Sequence, residues 1–103
     1  MRALRHELSR IDIMSVTLNI HKTHRVYTDG QENLSVEGSS VSECLDHLIQ
    51  RYPSMKSALF NEKVKLRNNI EIYVNAESAY PDELKKPVKD GDELFITVML
   101  AGG

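Results

Sequence analysis

The sequence predicts an α+β fold, a mixed sheet of four to five strands with one main helix packed on one face. Two short segments with alternating apolar and polar residues precede a single long helical pattern, and two further apolar segments follow it. Alternation at period two is typical of half-buried strands. A helix between two pairs of strands packs across one side of their sheet. The predicted order is therefore strand, strand, helix, strand, strand.

The first two strands are predicted on either side of a long polar connection. Residues 15–20, SVTLNI, alternate strictly, and residues 34–36 form a second, shorter alternating segment. Between them lies Asp29-Gly30, a dipeptide typical of turns. We expect the two segments to pair as a hairpin.

The main helix is predicted to begin at Ser40. Ser40 and Glu43 have the capping-box spacing, in which the serine oxygen accepts from an early helical amide and the glutamate reaches back. Apolar residues then follow at the spacing of one helical face: Val41, Cys44, Leu45, Leu48, Ile49 and Tyr52. Pro53 ends the run. Because Cys44 lies on the buried face, we predict a core cysteine rather than a nucleophile.

The second half of the chain predicts the remaining strands. Residues 54–60 add a short helical turn, and residues 70–74, IEIYV, alternate as a third strand before a turn at residues 75–76. An Asp-Gly-Asp turn at residues 90–92 leads into residues 94–100, LFITVML, the most apolar segment. We expect that segment to be the central strand. With the first and last strands side by side in parallel, this order of elements would be the β-grasp fold.

Composition limits the possible classes of function. The 103 residues fit one domain, with 41% hydrophobic and 27% charged residues. No apolar run approaches the roughly 20 residues that cross a bilayer. The formal net charge of −2 gives no general attraction for phosphate backbones. We therefore expect a cytoplasmic protein that binds neither membrane nor nucleic acid.

The chain divides into an extension at residues 1–14 and a domain at residues 15–103. The extension carries a weak helical stripe of apolar residues: Leu4, Leu8 and Ile11. It lacks the continuous apolar core of a secretory signal. We expect a poorly ordered segment without a role, and Met14 is an alternative start.

The last four residues, Leu100-Ala101-Gly102-Gly103, carry the candidate chemistry. Glycine lacks a Cβ, so a Gly-Gly end fits a narrow channel in a partner enzyme. At about 3.3 Å per residue, this flexible tail extends roughly 13 Å. The terminal carboxylate is anionic at neutral pH and resists nucleophilic attack, so acyl chemistry at Gly103 needs prior activation, most simply adenylation by ATP. The chain has no phosphate-binding glycine loop and no recognisable triad, so the catalyst must be another protein.

Two other groups of residues could in principle bind a metal or act in acid–base catalysis, and we expect neither to do so. His21 and His24 are spaced for two metal ligands, but a third ligand is missing, and we predict no metal site. Asp90, Asp92 and Glu93 are carboxylates in a polar turn, where we expect them to be solvated rather than paired for acid–base catalysis.

A partner-binding surface is predicted on the last strand. Period two places three side chains on the face away from the helix: Phe95, Thr97 and Met99. Tyr73 of the neighbouring strand is expected beside them. An exposed apolar surface next to the tail is typical of a docking site. The alternative is that the N-terminal extension or a second copy covers this face.

Taken together, the order of elements, the turn after IEIYV, the Asp-Gly-Asp turn, the apolar last strand and the terminal AGG resemble the MoaD/ThiS family of ubiquitin-like sulfur carriers. The resemblance covers residues 15–103. Within the family, the run NIEIYVNAES and the long first connection are most similar to the CysO-type branch, which serves cysteine biosynthesis. The small subunit of molybdopterin synthase, MoaD, is the runner-up.

The resemblance implies a cycle centred on Gly103. An E1-like enzyme of the MoeB/ThiF type adenylates the terminal glycine with ATP and magnesium, a sulfur source displaces AMP, and the thiocarboxylate donates sulfur to an accepting synthase. The protein would then be a carrier rather than an enzyme, with no stably bound cofactor. The small subunit of a sulfur-transferring complex, a protein modifier joined to lysines and an inert interaction domain remain as alternatives.

Overall fold

A five-stranded mixed sheet organises the protein, whose computed structural model describes residues 15–99. The strands are β1 (Ser15–Ile20), β2 (Asn33–Glu37), β3 (Ile70–Val74), β4 (Glu77–Ser78) and β5 (Glu93–Val98), in the spatial order β2-β1-β5-β3-β4. β1 and β5 pair in parallel, and the other neighbours are antiparallel. The predicted β-grasp is confirmed, with the last strand in the middle of the sheet.

Two α-helices and two 3-10 helices complete the described part of the chain. They are α1 (Val41–Arg51), α2 (Met55–Leu59) and the 3-10 helices Lys22–Thr28 and Glu83–Lys85. None of the helices within residues 15–99 is long and apolar enough to cross a membrane.

The N-terminus of α1 follows the predicted serine cap. The Oγ of Ser40 accepts from the backbone N–H of Glu43 at 3.2 Å. The Glu43 carboxylate, however, accepts from the N–H of Ser39 at 2.8 Å, one residue before the position that a capping box requires. This hydrogen bond from the Ser39 backbone, and then a second from the Ser39 hydroxyl at 2.9 Å, lower the pKa of Glu43.

The core lies between α1 and one face of the sheet. The apolar stripe of α1 is buried at Val41, Cys44, Leu45 and Leu48. Alternate residues of β1, β2, β3 and β5 are buried opposite it. The predicted core position of Cys44 is confirmed, since its side chain is fully buried. Burial, followed by the negative charge of Glu43, raises the pKa of the Cys44 thiol to about 11, so the nucleophilic thiolate is scarce at neutral pH.

The connection between β1 and β2 is more ordered than its polar sequence indicates. The 3-10 helix Lys22–Thr28 packs against α2, and two of its polar side chains, His24 and Thr28, are buried. The hydroxyl of Thr28 donates to the Gln31 carbonyl at 2.9 Å. The predicted turn follows directly, with positive φ at both Asp29 and Gly30.

Gly38 lies where β2 approaches the start of α1, and this close approach predicts a steric effect. A Cβ at position 38 would lie 2.9 Å from both the backbone nitrogen of Cys44 and the Cβ of Glu43. We expect Gly38→Ala to lower the free energy of unfolding by about 1–3 kcal/mol through overpacking. Urea denaturation measures the loss, and amide chemical shifts at Glu43 and Cys44 should report the displacement.

Gly30→Ala is the matched control for this prediction. Nothing lies within 4 Å of a Cβ at Gly30, but its φ of +84° disfavours any side chain. This variant should lose stability through backbone strain alone, without shifting the first turn of α1. Unchanged amide shifts in Gly38→Ala would contradict the steric explanation.

Candidate functional site

The C-terminal tail follows β5, the strand at the centre of the sheet. β5 pairs with β1 on one side and with β3 on the other. Beyond the end of β5, the N–H of Met99 donates to the carbonyl of Asn69 at 2.7 Å, so backbone pairing continues to the last described residue. The predicted tail residues Ala101, Gly102 and Gly103 lie outside the described residues. The strand was predicted at residues 94–100 and is found at Glu93–Val98.

Three of the four predicted partner-binding residues share one surface of the sheet. We define the open face as the outward strand residues on the side opposite α1: Ser15, Thr17, Asn19, Asn33, Ser35, Glu37, Glu71, Tyr73, Ser78, Glu93, Phe95 and Thr97. Phe95 lies directly opposite Tyr73 in the β3–β5 register. The hydroxyl of Thr97 donates to the Glu71 carbonyl at 3.2 Å. Met99, 50% exposed, follows at the tail end of β5.

The open face is mostly polar, with a small aromatic centre. Phe95 and Tyr73 are both partly exposed and are its only aromatic residues. A row of amides adjoins them on the side of β1, where the Asn33 side chain donates to Asn19 at 2.6 Å. The sequence prediction considered only β5 and β3, so it indicated a broader apolar surface than the structure has.

The charged residues of the open face all have the same sign. They are Glu37 on β2, Glu71 on β3 and Glu93 on β5. None of the three forms a salt bridge within residues 15–99. A partner with basic groups around an apolar contact would therefore complement this face.

The turn at residues 90–92 joins the starts of β1 and β5. The carboxylate of Asp90 accepts from the N–H of Ser15 at 2.9 Å, and the N–H of Gly91 donates to the Ser15 carbonyl at 2.9 Å. On the other side of β5, the N–H of Glu93 donates to the Asn75 side chain at 3.0 Å. Asn75 has a φ of 56°, as suits the predicted turn after β3. These contacts fix the start of the strand that carries the tail.

The prediction that Asp92 is solvated is wrong. The residue is only 8% exposed. The carboxylate accepts from the backbone N–H of Lys89 at 2.9 Å and from the Asn75 amide at 3.2 Å. These hydrogen bonds, the Lys89 backbone first, lower the pKa of Asp92, and the Lys89 charge adds to the effect. The carboxylate is thus structural and satisfies donors that folding has removed from water.

We expect Asp92→Asn to lower the free energy of unfolding at neutral pH by about 1–3 kcal/mol, since the amide cannot accept from both donors. Because the folded-state pKa lies below the ordinary value of 3.8, the ionised carboxylate stabilises the protein above that value. The stabilisation is lost as the pH falls through the folded-state pKa. Urea denaturation at several pH values should therefore show wild type and variant converging below about pH 4.

Asp82→Asn is the control, since Asp82 is an exposed carboxylate. It should leave the denaturation midpoint unchanged. A difference between wild type and Asp92→Asn that stays constant down to pH 2 would contradict the assigned role.

The two histidines considered as ligands have local contacts instead. The ring of His21 is hydrogen-bonded to the hydroxyl of Thr23 at 2.9 Å. His24 is buried beside Tyr27, and burial, then the charge of His21, lowers its pKa. Within residues 15–99, no three His, Cys, Asp or Glu side chains are grouped to hold a metal ion.

A groove of about 640 Å³ adjoins Met99 at the edge of β3. β4 pairs only with Tyr73 and Val74, so the first part of β3 has no strand on that side among the described residues. Leu66, Tyr80 and Leu84 contribute to the wall.

Comparison with known sequences relates this architecture to a family. The sequence model of the ThiS family matches residues 20–103, a span that includes β5 and the terminal Gly102-Gly103. The chain belongs to the ThiS family. Sulfur carrier protein CysO of Mycobacterium tuberculosis is 30% identical over 93 residues, which cover 87% of this chain and 100% of the relative.

Solved structures agree with this assignment. A chain of the Amycolatopsis orientalis BexX/CysO complex is 36% identical with a TM-score of 0.77, covering 85% of this chain and 99% of its own. Small archaeal modifier protein 1 from Methanosarcina acetivorans is 26% identical with a TM-score of 0.75, covering 88% and 98%. The predicted resemblance to the MoaD/ThiS sulfur carriers, and among them to the CysO type, is confirmed.

Proposed function

We propose that this protein is a sulfur carrier whose Gly103 carboxylate is converted to a thiocarboxylate that donates sulfur in biosynthesis, with a cysteine-forming pathway favoured. One observation carries the proposal: the ThiS-family match extends through Gly103. Relatives matched over their full length are sulfur carrier proteins. The central position of β5 adds a structural reason, because the strand that leads to the tail is paired on both sides.

The chemistry takes place at the carboxyl carbon of Gly103. A carboxylate oxygen attacks the α-phosphorus of ATP, pyrophosphate leaves, and an acyl adenylate forms. Hydrosulfide then attacks the carbonyl carbon and displaces AMP, so that its sulfur replaces one oxygen and the product is the thiocarboxylate. The active site belongs to an E1-like enzyme of the MoeB/ThiF type, which binds ATP and magnesium. The reaction takes place in the cytoplasm.

The described residues present the tail to a partner enzyme and do not act as catalysts. Cys44, the only cysteine, is fully buried with a raised pKa, so it is unsuited to carry the sulfur itself. When the activating enzyme binds the folded domain, the tail is held close to the enzyme's reacting groups. This proximity lowers the activation barrier, although the domain itself takes no part in the covalent chemistry. The protein is therefore a co-substrate of its activating enzyme.

Partner enzymes are proposed to dock around Phe95, Tyr73, Thr97 and Met99. The first three lie together on the open face, and Met99 connects that face to the tail. Aromatic side chains provide much of the binding energy at protein interfaces. A relative solved in the BexX/CysO complex supports assembly of this kind of domain with a second protein.

The test is an intact-mass measurement after reaction with the E1-like enzyme of the same host. The protein is incubated with that enzyme, ATP, magnesium and sulfide, and kept non-reduced. We expect a mass gain equal to the exchange of one oxygen for sulfur, and no gain when ATP is omitted. An unchanged mass, under conditions where pyrophosphate release proves adenylation, would overturn the carrier assignment.

A protein modifier is the second candidate, favoured by the similarity to small archaeal modifier protein 1. Such a protein would transfer its activated glycine to lysine amines as an isopeptide bond. Extracts of the native host would then contain larger covalent adducts that survive thiol reductants. Adducts without any thiocarboxylate would replace the carrier proposal with this one.

A further inference from the structure

The open face has no covering element within residues 15–99. Both α1 and the buried core lie on the opposite side of the sheet. The aromatic pair Phe95 and Tyr73 is therefore left partly exposed at the centre, with Asn19 beside it on β1. Partly exposed aromatic rings in the middle of a sheet are a natural contact for an apolar helix stripe.

The electrostatics of this face favour a basic occupant. Its three charged residues, Glu37, Glu71 and Glu93, are spread over three strands, with no lysine, arginine or histidine among the outward strand residues. An occupant that brings positive charge around an apolar stripe would gain from both features.

Residues 2–12, RALRHELSRID, have this character. Three arginines stand against two carboxylates, and Leu4, Leu8 and Ile11 have the spacing i, i+4, i+7 of one helical face. In a helix, Arg5 and Arg10 would flank that stripe on opposite sides. A helix this short is marginal in water, so it needs a surface on which to form.

The position and length of the segment fit the open face. It enters β1 at Ser15, at the end of the face where Ser15 pairs with Glu37. We measure distances along the strands from Ser15, at about 3.3 Å per residue. Phe95 is then roughly 13 Å away, Glu71 about 20 Å and Met99 about 26 Å. An 11-residue helix is about 16 Å long. Folded back at Met14, it would pass Phe95 and approach Glu71 but stop short of Met99.

We propose that the open face is the docking site of the chain's own residues 2–12, which lie across Phe95 and Tyr73 as a short basic amphipathic helix. The β-grasp thereby becomes three-layered, helix on sheet on helix. The root of the tail at Met99 stays free. The extension, expected from sequence to be without a role, becomes a cover over the aromatic surface that partners are proposed to use.

Paramagnetic broadening in NMR spectra tests the docking directly. A nitroxide is attached to His6→Cys, and Cys44 does not compete because its thiol is buried with a raised pKa. We expect the backbone amides of Phe95 and Tyr73 to broaden severalfold more than that of Asp46, which is exposed on α1. Equal broadening on both sides of the domain, or none, would overturn the proposal.

Charge reversal provides the matched pair of variants. Glu71→Lys on the open face should reduce the broadening at Phe95 severalfold. Glu77→Lys makes the same change at an exposed residue paired with Val74, whose side chain packs against the core on the other side of the sheet. This control should leave the broadening unchanged, and equal effects of the two variants would contradict a specific contact.

A mixed sample distinguishes the occupants of the face. Spin-labelled chain without ¹⁵N is combined with ¹⁵N-labelled chain without the spin label. Docking within one chain predicts no broadening at Phe95 in this mixture. Broadening there would assign the face to a second copy and overturn the proposal. Since no readout involves sulfur, either result leaves the carrier function to its own test.

Discussion

Deleting Gly103 is expected to abolish thiocarboxylate formation while leaving the fold intact. The deletion moves the terminal carboxylate back by one residue, about 3.3 Å along an extended tail. Reacting atoms must approach within about 3–3.5 Å, and a displacement of about 1 Å already costs roughly 100-fold in rate. A carboxylate withdrawn by a whole residue therefore cannot reach the α-phosphorus of ATP in the activating enzyme.

The measurement is intact mass after incubation with the activating enzyme, ATP, magnesium and sulfide. Ala101→Gly is the matched control, because it changes the tail by one methyl group and keeps the carboxylate in place. We expect the control to gain sulfur and the deletion to gain none. Urea denaturation should give the same midpoint for both proteins. Sulfur on the shortened chain would show that the chemistry does not depend on Gly103.

Phe95→Asp is expected to lower kcat/KM for activation by at least about 30-fold, the effect of losing one interface hot spot worth about 2 kcal/mol. The aromatic contact disappears, and a further carboxylate joins Glu71 and Glu93 on the same face. The stability loss should be only about 1 kcal/mol, the span of strand propensities, because Phe95 faces away from the core. Pyrophosphate release at increasing carrier concentration measures the effect, which should appear chiefly as a higher KM.

Ser35→Asp separates the aromatic contact from simple charge. It adds the same carboxylate to the open face, but on β2, two strands away from β5. We expect a change in kcat/KM of less than about threefold, since a peripheral charge mainly affects association rate. Normal activation of Phe95→Asp would show that the enzyme docks elsewhere. A comparable loss in Ser35→Asp would show that charge alone explains the effect.

The order and pairing of the main elements could be predicted because burial on one side imposes a period on the sequence. β1, β3 and β5 alternate with period two, and α1 carries an unbroken apolar stripe, so each side of the sheet could be assigned. The 3-10 helix Lys22–Thr28 could not. Its buried residues, His24 and Thr28, are polar and show no apolar period, and within residues 15–99 only the Thr28 hydroxyl finds a nearby carbonyl to which it donates.

The candidate site, too, was predictable only in part. Alternation alone correctly predicted that Phe95 and Thr97 lie on one face with Tyr73, whereas Met99, predicted with them, follows the end of β5. It could not reveal that Asp92 is buried, because one of its hydrogen-bond donors is Asn75, which reaches it only when β3 and β5 pair. The chemistry at Gly103 was predicted from the tail and the family resemblance, and it remains a prediction.

The parallel pairing of β1 with β5 also bears on when the protein becomes usable during its synthesis. The first described strand, β1, lies beside β5, so the middle of the sheet stays open until β5 has left the ribosome. A nascent chain that stops before β5 would lack the centre of its own sheet as well as Gly103, the residue proposed to be activated. On the proposed function, an unfinished chain would therefore present an activating enzyme with neither the Phe95 surface nor the Gly103 carboxylate.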